Sequence, residues 1–110
     1  MGMDRSSMAQ AASAVAEMNG GIVLVENGHV SFRMPLNIGG VASDRSFSTV
    51  ASEMKELKEK VRENGYHYND FFYTLLFLVC DFLPGLRITA SGIIDIKKRQ
   101  VIVPAKKFQS

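Results

Sequence analysis

The side chains that could do chemistry in this 110-residue chain are few and scattered. Ser43-Asp44 is a polar pair at the end of a glycine-containing segment, and His67 lies between two tyrosines; His29 and Cys80 stand alone. Hydroxyl, carboxylate and imidazole groups can hold a polar ligand through hydrogen bonds. The candidate ligand-binding residues are therefore Ser43, Asp44 and His67, and we predict no catalytic residue.

The ligands for a metal ion are equally scarce. A hydrolytic metal site needs several imidazoles, carboxylates or thiolates that converge on one point. His29, His67 and Cys80 are the only nitrogen or sulfur ligands of those types, and the chain has no H-x-H, H-E-x-x-H or C-x-x-C motif. It also has no G-x-S-x-G motif. We expect no metal site, no bound cofactor and no metal-dependent hydrolysis by this chain alone.

Each candidate also has a purely structural interpretation. The Asp44 carboxylate could cap a following helix and complement its dipole. Tyr66 or Tyr68 could pack over the entrance to the next helix, or these tyrosines could bind a small molecule together with His67. Cys80 lies in an apolar run with no neighbouring base or cation to lower its pKa, which is typical of a small buried residue.

Charge and cysteine content exclude several classes of partner. Thirteen basic and eleven acidic residues give a net charge of +2 without the clustering that nucleic-acid binding requires. A single cysteine excludes an internal disulfide and favours a reducing, cytoplasmic location. The longest apolar stretch, residues 71–79, is far shorter than the ~20 residues of a membrane span. We expect neither nucleic acid nor a membrane as a partner.

The polar candidates must be positioned by a hairpin and the loop that follows it. Two apolar-rich runs, residues 22–25 and 30–34, are joined across Asn27-Gly28, a pair that favours a tight type I′ turn. Pro35 ends strand pairing, and Gly39-Gly40 allows backbone conformations that other residues avoid. The segment up to Asp44 is therefore predicted to be a shaped loop.

Three helices are predicted from apolar spacing and capping residues. The first begins at Asp4 or Ser6 and stops at Gly20, and the second runs from the caps at Asp44 or Ser46 to about Asn64. The third runs from Asn69 or Asp70 to about Phe82 and is apolar on nearly every side, which predicts either the core or an interface. Expected positions on the packed faces are Met8, Ala11, Ala12, Val15 and Met18 in the first helix, and Phe47, Val50, Met54, Leu57 and Val61 in the second.

Short β-prone runs complete the chain. Residues 86–89, 93–96 and 100–103 are predicted strands, and the last two form a hairpin across the basic residues 97–99. The predicted fold is α+β, with a mostly antiparallel sheet built from two hairpins and the 86–89 run, packed by about three helices. We expect one domain over residues 1–104 and a flexible tail over 105–110.

This pattern resembles the C-terminal domain of the bacterial adenine deaminases, metal-dependent purine aminohydrolases of the amidohydrolase superfamily. That family shows Gly-Gly, I-V-x-V, an x-G turn, x-L-P-L and an I-x-G-L-M-S-D loop, and later D-P-F-M-T-L-x-F-L, I-P-E-L-K-L-T and G-L-V-D. The corresponding segments here are 20–21, 22–25, 27–28, 34–36, 38–44, 69–78, 83–89 and 92–95. Asn37 and Ala42 depart from the family's proline and methionine, as a divergent adenine deaminase-like member would.

The resemblance implies an accessory part of a larger enzyme. The parent would convert adenine and water to hypoxanthine and ammonia with manganese or iron held in an N-terminal barrel of about 250 residues, which a chain of 110 residues cannot contain. We expect that missing barrel to be the partner, with the loop up to Asp44 near its active-site mouth, and we expect homo-oligomers. The alternative is a free-standing, non-catalytic interaction or oligomerisation module.

Overall fold

The computed structural model describes residues 2–80, 82, 83 and 85–106. The chain divides after Tyr66 into two compact units, unit 1 and unit 2. Unit 1 contains α1 (Arg5–Glu17), β1 (Gly21–Glu26), β2 (His29–Pro35) and α2 (Phe47–Glu63). Unit 2 contains α3 (Phe71–Val79), β3 (Leu86–Thr89), β4 (Gly92–Asp95) and β5 (Gln100–Pro104). The α+β class is confirmed, although the described strands form two antiparallel sheets rather than one.

The β1–β2 hairpin has the predicted turn. Its strands pair from Gly21 opposite Pro35 to Glu26 opposite His29. Asn27 and Gly28 take φ values of 51° and 75°, the two positive angles that a type I′ turn requires. The local sequence therefore sets the register of this hairpin, apart from a bulge between Leu24 and Val25.

Helix α1 packs on this hairpin with a face close to the predicted one. Asp4 caps the helix by accepting a 2.8 Å hydrogen bond from the Ser7 amide, and this bond lowers the pKa of the Asp4 carboxyl. Ala14 is buried, whereas Met8 and Ala12, which were expected on the packed face, are exposed. The small Ala14 side chain suits a helix that contacts both β1 and β2.

Helix α2 supplies the other half of the unit 1 core. Ser46 caps it by accepting a hydrogen bond from the Thr49 amide. Leu57 and Val61 are buried as predicted, but Phe47, the first residue of the helix, is 89% exposed. The buried apolar residues among those described all belong to unit 1 and are Ala14, Phe32, Met34, Leu57 and Val61.

Unit 2 is a three-stranded sheet with one short helix. The strands lie in the order β3-β4-β5, all antiparallel, which confirms the predicted second hairpin. Asp70 caps α3 by accepting a 3.0 Å hydrogen bond from the Tyr73 amide. The helix ends at Val79, before the predicted Phe82, because Cys80 has extended backbone angles.

Helix α3 has no buried residue in the structure, so the prediction that it forms the core is wrong and only its interface interpretation remains. The single domain expected over residues 1–104 stays a prediction, since compact units of this size can share one domain. The tail expected over 105–110 falls mostly outside the described residues. Within the described part of the chain, no helix combines the length and hydrophobicity of a membrane span.

The unit 1 core predicts a contrast between two valines. Val61→Ala removes two buried carbon groups, so unfolding should cost about 2 kcal/mol less, at about 0.8 kcal/mol per group plus a cavity contribution. Val41→Ala is the matched control, because Val41 is 77% exposed and Val61 only 6%. Urea denaturation followed by circular dichroism measures both, and equal losses would contradict this assignment of the core.

A pH-dependent contact joins the end of β1 to the end of α2. Ser31 and Asn64 donate hydrogen bonds to the Glu26 carboxylate and hold its pKa below the ordinary 4.5. Because the folded-state pKa is lowered, the contact stabilises the fold above about pH 4.5 and is lost as the pH falls through the folded-state value.

Glu26→Gln should therefore destabilise the protein at neutral pH, and its difference from wild type should shrink as the solution is acidified. Urea midpoints over a pH series measure this difference. Asn64→Ala removes one of the hydrogen-bond donors to Glu26, so it should also reduce the pH dependence of the stability. If the urea midpoints of wild type and Glu26→Gln differ by the same amount at every pH, the stabilising contact of Glu26 is ruled out.

Candidate functional site

The candidate pair Ser43-Asp44 lies in the segment between β2 and α2, residues 36–46, which we call the β2–α2 loop. Its tip is a tight turn in which the Val41 amide donates to the Ile38 carbonyl at 3.2 Å. Gly39 and Gly40 at the centre of the turn have φ values of 62° and 76°. Ile38 and Ala42 also form a two-residue antiparallel bridge, so the loop has one defined backbone conformation.

The base of the loop is fixed against the end of α1. The Leu36 amide donates to the Gly20 carbonyl at 3.3 Å. A Cβ atom built on Gly20 would lie 2.6 Å from the Cα atom of Gly40, closer than real Cβ contacts come. Glycine is therefore required at position 20 both for space and for its φ of 117°.

Arg45 connects the loop to its two neighbouring elements. Its guanidinium donates both terminal nitrogens to the Glu53 carboxylate on α2 and one of them also to the Pro35 carbonyl at the end of β2. Its Nε donates to the Ser43 hydroxyl at 3.2 Å. The hydrogen bonds to Glu53 raise the pKa of Arg45, so the guanidinium remains charged.

The two candidate residues of this loop have structural partners. Ser43 is half-buried and accepts from the Arg45 backbone amide at 3.1 Å. Asp44 is exposed and accepts from the Asn37 side-chain amide at 3.0 Å. The interpretation of Asp44 as the cap of the second helix is wrong, because Ser46 occupies that position.

Sequence reasoning missed the residues that hold this loop. Arg45 directly follows the candidate pair, and Glu53 is one of many charged residues in the second helix. Their side chains are only 28% and 21% exposed. Arg45 lies before the first residue of α2, so helical spacing does not relate it to Glu53; the only signal in the sequence is an arginine next to a predicted cap.

The other candidates are not part of this loop. His67 is exposed and begins unit 2, whereas Ser43 and Asp44 belong to unit 1. His29 is exposed at the hairpin turn, with Nδ1 2.9 Å from the Asn27 carbonyl oxygen. Cys80 is half-buried at the end of α3.

Within the described residues, no three His, Cys, Asp or Glu side chains converge. The donor set therefore does not fit the manganese or iron that the resemblance implies for a parent enzyme. What the β2–α2 loop offers is a braced support that presents two apolar side chains, Ile38 (54% exposed) and Val41 (77% exposed).

These features define a small α+β protein with a braced loop. Residues 1–100 match the family described as the adenine deaminase C-terminal domain. The chain belongs to this family.

Individual relatives carry names consistent with this family and are much longer than the chain. It is 38% identical over 105 residues to the Bacillus subtilis protein named "Putative adenine deaminase YerA", a match that covers 96% of this chain and 18% of that protein. It is 36% identical over 96 residues to an adenine deaminase of Kosmotoga olearia, covering 87% of this chain and 17% of the relative. The chain thus spans less than a fifth of the length of these relatives.

The hydrogen bonds of Arg45 predict that the β2–α2 loop becomes more mobile when the guanidinium is removed. Arg45→Met keeps the aliphatic stem but leaves Glu53 and the Pro35 carbonyl without their donor, so it should lower the melting temperature and speed amide exchange in the loop. The matched control is Arg33→Met, which breaks an exposed pair with Glu17 that contributes about 0–1 kcal/mol. Equal effects of the two changes on exchange at Ile38 and Ala42 would contradict the bracing role of Arg45.

Proposed function

We propose that this chain is a non-catalytic accessory domain of an adenine deaminase, in which it braces or covers the part of the enzyme that carries the metal. The observation that carries the proposal is the match itself. Almost the whole chain aligns with less than a fifth of its relatives, and the matched family is a C-terminal domain. In this proposal the reaction of adenine and water to hypoxanthine and ammonia, with manganese or iron, takes place outside the residues of this chain.

The β2–α2 loop supports a bracing or covering role. A loop that contacts a neighbouring domain must hold its shape in order to bind without a large loss of conformational entropy. This loop is held by Gly20 at its base and by Arg45 against α2, while Ile38 and Val41 remain exposed at its tip. Ser43 and Asp44 then act by maintaining the shape of the loop, with no direct role in chemistry.

A second candidate function is a free-standing interaction module that forms homo-oligomers. The observation in its favour is the exposure of large apolar side chains on α3, including Leu76 at 53% and Val79 at 71%. Such a surface is typical of a protein that associates with another chain or with a second copy.

A chimera tests the first proposal against the second. The Kosmotoga olearia adenine deaminase is prepared intact, without its 96 matched residues, and with this chain fused in their place. We expect the truncated protein to lose about tenfold or more of its ammonia release from adenine, since a transition state destabilised by 1.4 kcal/mol reacts tenfold more slowly. The fusion should recover a substantial part of the loss.

The isolated chain is the control for catalysis and for assembly. Supplied with manganese or iron, it should release no ammonia from adenine. Ammonia release by the isolated chain would overturn the non-catalytic assignment. A fusion no more active than the truncated protein, together with stable oligomers of the isolated chain in sedimentation, would favour the free-standing module.

A further inference from the structure

The β1–β2 hairpin of unit 1 has an unpaired outer edge. In the part of the chain that the structure describes, β1 pairs with β2 alone, and the two strands form a two-stranded sheet. A strand with a single neighbour leaves about half of its backbone N–H and C=O groups outside the ladder, and such an edge readily pairs with another strand. The outer edge of β1 is therefore a candidate interaction surface.

The hairpin turn determines which residues of β1 face this edge. The first residue of a type I′ turn pairs with the fourth, so the backbone of Glu26 points towards β2. Successive residues of an antiparallel strand direct their backbone groups to alternate sides. Val23 and Val25 thus direct their N–H and C=O groups away from β2. The carbonyl of Leu24 points the other way, since it accepts a 3.4 Å hydrogen bond from the Ser31 hydroxyl on β2.

A groove of about 390 Å³ follows the same edge. Its walls come from the start of α1 with residues 2–4, from the five consecutive hairpin residues 23–27, and from Asn64 after the end of α2. Among the described residues that line the groove, none belongs to β2. A groove over one face of a strand would be lined by alternate residues, because successive side chains point to opposite faces. This groove therefore runs along the outer edge of β1.

The groove offers apolar side chains as well as backbone groups. Met3 and Met8 both line it and are exposed. The β1 sequence GIVLVE contains four apolar residues in a row, yet each of its six residues is only half-buried. A continuous apolar run is typical of a strand that is covered on both faces inside a sheet with parallel neighbours. A further strand in the groove would cover these side chains and pair with the free backbone groups.

The direction of α1 indicates which polypeptide fits this position. Residues 2–4, just before the helix, line the groove together with Glu26 at the end of β1. A segment that lay along β1 and then led into α1 would therefore run parallel to β1. Parallel neighbours are usually joined in this way, by a helix in a βαβ unit. A segment joined directly to residue 2 also has a high effective concentration at the groove, which a separate molecule lacks.

We propose that the outer edge of β1 pairs with the segment that immediately precedes this chain in a longer adenine deaminase, and that this segment forms a strand parallel to β1. The inference rests on the proposed function, in which this chain is the C-terminal part of a protein that has most of its length outside the match. It adds the surface at which the rest of the enzyme joins the chain, and the backbone groups of Val23 and Val25 that hold the contact.

Amide hydrogen exchange in an extended chain tests the proposed pairing. About 15 residues, enough for a strand and its connection, are taken from directly before the match in the Bacillus subtilis relative and fused in front of this chain. The chain alone and the chain with a Gly/Ser extension of equal length are the controls. We expect the relative's extension to slow exchange at Val23 and Val25 about tenfold or more, because their amides then donate within a ladder.

Arg33 provides a matched control position within the same hairpin. It pairs opposite Val23, and residues opposite each other belong to the same kind of pair, so its amide points to the outer edge of β2. The extension should change exchange at Arg33 less than about twofold.

Val25→Pro tests the same edge by substitution. Proline removes the N–H that faces the groove but leaves the hydrogen bonds between β1 and β2 in place. In the extended chain this variant should lose the added protection at Val23, while circular dichroism shows that the protein remains folded.

Three results would overturn the inference. Equal slowing at Val23 and Val25 by the Gly/Ser extension would show that the protection does not come from a strand of the parent enzyme. Exchange that the relative's extension leaves unchanged would show that this segment does not occupy the edge, while the activity of the fused chimera reports separately on the proposed function. Slow exchange in the chain alone that is lost on dilution would identify a second copy as the occupant.

Discussion

The arrangement of unit 1 around the candidate loop depends on the Arg45 guanidinium. Its planar fork contacts a strand end, a loop hydroxyl and a helix carboxylate at the same time, through Pro35, Ser43 and Glu53. A lysine could supply the charge but not this set of directed donors. The guanidinium therefore fixes where α2 begins relative to the hairpin, and with it the direction in which the loop tip points.

Sequence patterns predicted the parts of the fold that local interactions determine. The Asn27-Gly28 turn, the caps at Asp4 and Asp70, and the apolar spacing of Leu57 and Val61 each involve residues within a few positions of one another. The Arg45–Glu53 pair could not be predicted in this way. It requires the loop before α2 to bring Arg45 back against the helix, and the spacing of residues within the helix does not determine the path of that loop.

The third helix shows a different limit of sequence reasoning. An almost wholly apolar helix predicts that its side chains will be covered, but it does not specify by what. In this chain Leu76 and Val79 are exposed, so the covering surface is not supplied by the described residues. The expectation of a core was therefore wrong, because it assumed that the covering surface belonged to the same chain, and the alternative of an interface stays a prediction.

The two units consequently differ in how well their own residues cover their apolar side chains. Unit 1 has buried side chains, capped helices and a loop held by charged hydrogen bonds, which is what an autonomous fold requires. Unit 2 has a regular sheet but exposed apolar residues and an unpartnered Arg87 Nε. Unit 1 holds its loop in shape through its own contacts, whereas unit 2 would gain stability if a partner covered its exposed apolar side chains in the proposed enzyme. Folding of unit 2 would then be linked to assembly, because a partner that binds only the folded form stabilises it by mass action.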